Sequence, residues 1–348
     1  MTDPYLTRRA ALLLAGTSLA GFVATAAEDN ALQPLSMAQG WMNSPPLTSA
    51  SLQGRVVLLD FWTYSCINCL RTLPYVRAWA RKYAPFGLVV VGVHTPEFGF
   101  ERMAANVQRA SRQLAVEFPV ALDSDRSIWR ASGVQGWPTF DFIDAQGRRR
   151  HRQVGEGDYA QAERVIQQLL REAGRTDLPM DLVSPIGEGT QAAPAAAPAR
   201  SGEAYLGTAR ASGFVAVKGA LRHGAAQVYT PSPRLRADEW TLAGTWAADD
   251  EYIEARHADG AITYRFRARD LHLVLGPSDD GRAVRFRVRI DGQPPRADRG
   301  TDVAPDGSGV VDTHRLYQLV RQADGARERL FEIRFVEPGV RAYVFTFG

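Results

Sequence analysis

Cysteine is almost missing from this chain: 348 residues hold two, Cys66 and Cys69. A secreted fold stapled by disulfides would scatter an even number of them across its loops. A structural zinc site would need four ligands, and no second Cys or His pair is spaced to complete one. Lysine is equally scarce, since Lys82 and Lys218 are the only two among 41 basic residues. The arginines are spread along the chain and balanced by 38 acids, leaving a formal charge of +3, so no basic patch for nucleic acid builds up. Codon composition accounts for the arginine bias. No segment beyond the amino terminus is apolar enough to span a membrane. With 45% hydrophobic and 23% charged residues, the chain suits soluble globular protein and is long enough for two domains.

Residues 1–27 carry Arg8-Arg9, then an uncharged stretch from Ala10 to Ala27 ending in small residues. That pattern is a signal peptide cleaved near Ala26 or Ala27, and Thr7-Arg8-Arg9 ahead of Leu12 and Leu13 suggests the twin-arginine route. An uncleaved anchor is the alternative, but Gly16, Thr17, Ser18 and Gly21 dilute the run. The mature protein is expected to be soluble and periplasmic or secreted.

The mature chain divides in two. In residues 28–177, apolar runs at 54–62 and 87–94 suit buried strands, with helical periodicity from Cys66 to about Lys82, where Pro74 is a kink. Helices are expected at 101–115, 125–131 (begun by an acidic cap) and 158–173, with a hairpin of 140–143 and 149–154 around Asp144–Gly147. Strands alternating with helices give an α/β fold on a mixed sheet. Residues 178–202 read as an Ala/Pro-rich linker, semi-rigid and poor at packing. In 203–348 short alternating runs bounded by Gly, Asp and Pro predict an all-β sandwich or jelly roll.

Disulfide exchange needs a thiolate attacker, a second thiol to release the mixed disulfide, and access for substrate. Cys66-Ile-Asn-Cys69 lies where the 54–62 strand runs through Thr63-Tyr64-Ser65 into a helix. The first cysteine therefore meets the positive end of the helix dipole, which favours its thiolate. Cys66 is the expected nucleophile and Cys69, deeper on the same face, the resolving thiol. Asp60, near the end of an otherwise apolar strand, could relay a proton to Cys69. The Gly136-Trp137-Pro138-Thr139 segment fits a tight turn, and a cis proline beside the cysteines would expose backbone for substrate pairing.

The string Asp-Phe-Trp-Thr-Tyr-Ser-Cys-Ile-Asn-Cys, with Gly-Trp-Pro-Thr about 70 residues later, resembles the thioredoxin superfamily and its TlpA-like branch. Residues 95–130 match that branch's insertion in length. The resemblance implies a thioredoxin-like α/β domain in which Cys66 and Cys69 form the redox-active disulfide, Asp60 is the buried acid and Pro138 the cis proline. Trp62, Trp137 and Thr139 are then candidates for the substrate groove. The closer likeness is to the soluble C-terminal region of the DipZ thiol–disulfide interchange proteins. It rests on Phe61–Pro74 together with Tyr205-Leu-Gly, Arg315-Leu-Tyr-Gln-Leu and Phe345-Thr-Phe-Gly in a carbohydrate-binding-module-like β domain. It implies protein disulfides as substrates, with no metal and no cofactor beyond the dithiol. DipZ proteins carry a membrane segment that hands electrons to the thioredoxin domain, and none is read here. The expected reductant is therefore a separate membrane donor of the CcdA or DsbD kind, unless the chain works as an oxidant or isomerase.

Three further features have modest readings. His94, ending a strand, would lower a thiol pKa if it were charged beside the cysteines; more often such a residue is a polar strand end. Arg148–Arg152 is a basic run best read as a solvated hairpin face. Trp240, Trp246 and Tyr252 would stack on sugar rings if exposed, giving the β domain a glycan contact, but at strand spacing they fit a core better.

Overall fold

The structure, a computed structural model, describes residues 30–195 and 201–348, so the expected export signal lies outside the described residues. The first part contains β1 (Gly40–Met42), β2 (Val56–Trp62), α1 (Ile67–Tyr83), β3 (Leu88–His94), α2 (Ala104–Gln113), β4 (Val120–Leu122), α3 (Ser127–Ala131), β5 (Thr139–Ile143), β6 (Arg149–Val154) and α4 (Tyr159–Glu172). The sheet runs β1-β4-β3-β2-β5-β6, with β2, β3 and β4 parallel and the outer pairings antiparallel. Strand β2 is buried at all seven positions because helices cover both faces. Its period of two sends Val56, Leu58 and Trp62 into the core shared with α1 and α4, and Val57, Leu59 and Phe61 into the opposite one. The same parity puts Asp60 on the α1 face.

Several expectations needed adjustment. The helix foreseen at 101–115 is a single 3-10 turn, Gly99–Arg102, followed by α2. Asp125 accepts the first N–H of α3, that of Ser127, at 2.9 Å as expected, and Asp123 adds to it by accepting those of Ile128 and Trp129 at 2.8 and 3.0 Å. The beginning of the Ala/Pro stretch packs instead of hanging free: Arg77 donates to Gln191, Lys82 pairs with Asp181 and Glu163 accepts the N–H of Val183.

Beyond residue 201 the fold is all β: β7 (Ala204–Tyr205), β8 (Gln227–Tyr229), β9 (Trp240–Ala248), β10 (Ile253–Ala255), β11 (Ala261–Ala268), β12 (Asp270–Gly276), β13 (Val284–Ile290), β14 (Ser308–Val311), β15 (Arg315–Arg321), β16 (Arg327–Phe335) and β17 (Arg341–Phe347). As expected of an all-β domain, its strands pack on a single core, along the antiparallel path β14-β13-β16-β11-β9-β10-β17-β12-β15, which forms a half-barrel. Strand β13 shows why: Val284, Phe286, Val288 and Ile290 are buried while the intervening arginines are exposed. Trp240 and Trp246 are both 0% exposed within that core, so neither is available to a sugar ring. Tyr252 is half-buried between Tyr343 and the guanidinium of Arg341.

The two parts share apolar surface. Val274, Leu316, Tyr343 and Val344 of the β domain join the core cluster that contains α1.

Candidate active site

Strand β2 ends at Trp62, and three residues later the chain turns into α1 with Cys66 as its N-cap, at φ −83° and ψ 120°. The Cys66 carbonyl accepts the N–H of Leu70 at 3.0 Å, while its own N–H points back to Thr63 at 3.4 Å. Cys66 is thus held at the N-terminus of a 17-residue helix, half-buried and reachable. Cys69, three residues on, is fully buried. Burial pushes its thiol up, and a hydrogen bond with Cys66, the charge of Cys66 and the Asp60 carboxyl add to that push. One thiol is exposed and the other protected, which is the asymmetry that attack followed by resolution needs.

Asp60 lies beneath them, 0% exposed, and neither of its carboxylate oxygens has a hydrogen-bond partner. Burial raises its pKa to about 8, so the carboxyl is held protonated near neutrality and is able to exchange a proton with a neighbour. The Trp137–Pro138 peptide is cis, and β5 carries the segment next to β2. Trp137 is half-buried, its indole N–H donating to the Thr95 carbonyl at 3.1 Å and its ring lying 5.1 Å from the Arg126 guanidinium.

Two groove assignments change. Trp62 and Thr139 are both 0% exposed and cannot line a groove. Trp62 packs edge-on to His94, and a Cβ on Gly92 would come within 2.8 Å of its indole nitrogen, so only glycine fits there. Thr139 donates its hydroxyl to the Gly136 carbonyl at 2.7 Å and braces the turn from inside. His94 is likewise not an activating cation. It is 1% exposed, stacked on Tyr64 at 5.5 Å, and burial lowers its pKa to about 3. The basic hairpin is internally matched, with Arg152 gripping Asp141 through two 2.6 Å hydrogen bonds and Arg148 and Arg150 paired to Asp144.

One residue close to the motif escaped the sequence reading. Glu101, 1% exposed, accepts the hydroxyls of Thr63 at 2.5 Å and Ser65 at 2.6 Å. Its only signal was an acid inside the insertion, indistinguishable in sequence from a solvated one. Among the described residues, no cluster of His, Cys, Asp and Glu is arranged to hold a metal ion.

An accessible cysteine at a helix N-cap, backed by a buried cysteine and a buried acid on a thioredoxin-like sheet, is the arrangement that thiol–disulfide exchange needs. Residues 38–168 match the Redoxin family model and residues 201–348 the model described as a thioredoxin-like C-terminal domain. Protein DipZ of Mycobacterium bovis is 34% identical over 313 residues, covering 89% of this chain and 41% of DipZ. The chain therefore spans about two-fifths of that relative's length. Thiol-disulfide oxidoreductase YkuV of Bacillus subtilis is 25% identical over 134 residues, 38% of this chain and 90% of YkuV. Among solved structures, a thiol:disulfide interchange protein DsbE from Chlorobium tepidum is 29% identical, covering 36% of this chain and 86% of that one, with a TM-score of 0.33.

Proposed function

We propose that this protein is an extracytoplasmic thiol–disulfide reductase or interchange protein acting on protein disulfides. The observation that carries the proposal is the contrast between a reachable Cys66 at the helix N-cap and a sealed Cys69 over an unpaired Asp60. The Cys66 thiolate attacks one sulfur of a substrate disulfide, forming a mixed disulfide and expelling the other sulfur as a thiolate. Cys69 then gives up its proton, to Asp60 when that neighbouring carboxyl is ionised, and attacks the Cys66 sulfur. The products are a Cys66–Cys69 disulfide and a reduced substrate, two electrons having passed to the substrate. The cis Trp137–Pro138 turn offers its backbone to an extended substrate segment. A separate dithiol donor in the membrane, of the CcdA or DsbD kind, reduces Cys66–Cys69 again.

The placement outside the cytoplasm rests on residues 1–27; no helix among the described residues is long and apolar enough to cross a membrane. Ile67 and Asn68 bring no charge or imidazole between the cysteines, which favours a moderately reducing couple over a strong oxidant. A potential near −120 mV, about that of DsbA, would overturn that reading.

Cys69→Ser removes resolution and leaves attack. The full chain carrying it is expected to accumulate covalent complexes through Cys66 that dithiothreitol releases, and Cys66→Ser to form none. Absence of such complexes would defeat interchange as the function, and their identification by mass spectrometry names the substrates.

A further inference from the structure

The segment from Glu97 to Arg102 takes no part in exchange as described, yet it touches both domains. Glu101 uses both carboxylate oxygens: Oε1 accepts the Thr63 and Ser65 hydroxyls, and Oε2 accepts the backbone N–H groups of Glu97 at 2.6 Å and Phe98 at 3.0 Å. Burial raises its pKa to about 6, so keeping a carboxylate at this place costs stability. A carboxylate is the side chain that accepts four donors at once. Glutamine of the same length offers one oxygen, and its NH₂ would confront the two backbone N–H groups. What Glu101 holds is the turn that delivers Cys66, because Thr63 and Ser65 flank Tyr64 and Thr63 accepts the Cys66 N–H.

The other side of the same segment is gripped by the β domain. Glu97 accepts Tyr205 Oη at 2.7 Å and Arg210 Nη1 at 2.9 Å, and the Gly99 N–H donates to Glu251 at 2.8 Å. Phe98 and Phe100 pack on Tyr343 with ring centroids 5.1 and 4.9 Å apart, and Phe100 also stacks on His314 at 4.9 Å. A continuous run of contacts therefore leads from the β domain through Glu97–Phe100 to Glu101, and from Glu101 to the turn before the nucleophile.

We propose that Glu101 is a positioning residue for disulfide exchange, and that the β domain works in the redox site by clamping the segment from which Glu101 acts. This rests on Cys66 being the attacking thiol. The turn before Cys66, tied to it by the Thr63 carbonyl, fixes where the attacking sulfur stands at the start of α1. Loosening that turn costs orientation at the reacting atom.

The test uses the full chain in three forms: wild type, Glu101→Gln, and the double variant Tyr205→Phe/Arg210→Met, which leaves Glu101 and both cysteines in place. Each is reacted with oxidised glutathione for a rate and equilibrated with the glutathione couple for a potential, with circular dichroism and unfolding monitoring the fold. Glu101→Gln is expected to slow attack roughly tenfold or more, as misplacement of a reacting group does. The double variant is expected to slow it about threefold with native circular dichroism, and both should move the equilibrium constant with glutathione the same way. A merely structural role lowers stability and leaves rate and potential unmoved. Both variants folded and within a factor of about two of wild type would overturn the proposal. A shift with Glu101→Gln alone overturns the part assigned to the β domain. If Glu101→Gln does not fold, the double variant decides. A wild type that fails to exchange with glutathione at all refutes the thiol reading itself, a result distinct from these.

Discussion

At the residue scale, acid and thiol share one low-dielectric site with opposite needs. Asp60 has its pKa raised from an ordinary 3.8 to about 8 by burial alone, with no donor to offset the loss of water. The sign of the linkage follows. A carboxyl with a raised folded-state pKa leaves the protein most stable below its unfolded pKa, and stability falls as pH rises from there through 8, by up to about 1.4 kcal/mol per unit. Asp60→Asn is therefore expected to flatten the decline in urea-unfolding stability between pH 5 and 8, while slowing resolution of the Cys66 mixed disulfide. A variant that keeps the wild-type slope would show that Asp60 does not carry it. Asp60 was legible as a lone acid in an apolar strand because period two fixed its face. Glu101 was not, since its value depends on Thr63 and Ser65, which lie 38 and 36 residues away in sequence.

At the scale of elements, α1 and α3 show two ways of starting a helix. The first turn of α1 leaves its N-cap to a cysteine with no side-chain cap hydrogen bond, which keeps the dipole available to the sulfur. The α3 helix instead spends Asp123 on its N–H groups, and the other bond of that carboxylate, from Thr95 at 2.9 Å, ties the end of β3 to the helix. Asp123→Ala should cost about 1–2 kcal/mol in urea unfolding, the range for a lost N-cap, with the glutathione reaction of Cys66 little changed. Periodicity located α1, β2, β3 and the β5–β6 hairpin well. It found Asp125, which accepts the Ser127 N–H at 2.9 Å, but not the second carboxylate, Asp123, whose reach to Ile128 and Trp129 depends on the left-handed turn at Arg126.

At the scale of the whole molecule, the outer face of α1 is closed by the β domain. Ile67, Arg71 and Pro74, one helical face, are all buried. Arg71, only 4% exposed, reaches Glu156 at 3.1 Å and Asp270 of β12 at 3.8 Å. Asp270 keeps Arg269 at 2.6 Å and Arg321 at 3.6 Å without Arg71, so the loss falls on Glu156 and on the link between the domains. Calorimetry of the wild-type chain is expected to show one cooperative transition, because the core of α1 continues into Val274, Leu316 and Val344. Arg71→Met should lower it or split it in two; an unchanged single peak would mean that the apolar contacts alone join the domains.

The sequence by itself determined the chemistry and its address: two cysteines three apart, a buried strand ahead of them, an acid on the matching face and a cis-proline turn downstream. These are local patterns, and backbone periodicity writes them into consecutive residues. Tertiary structure alone decided that Trp62 and Thr139 are buried and that His94 is neutral. It also decided that the second domain reaches the redox turn through Glu97 and Glu101. Tyr205 and Glu97 are 108 residues apart, and a contact at that separation leaves no periodic trace in either segment.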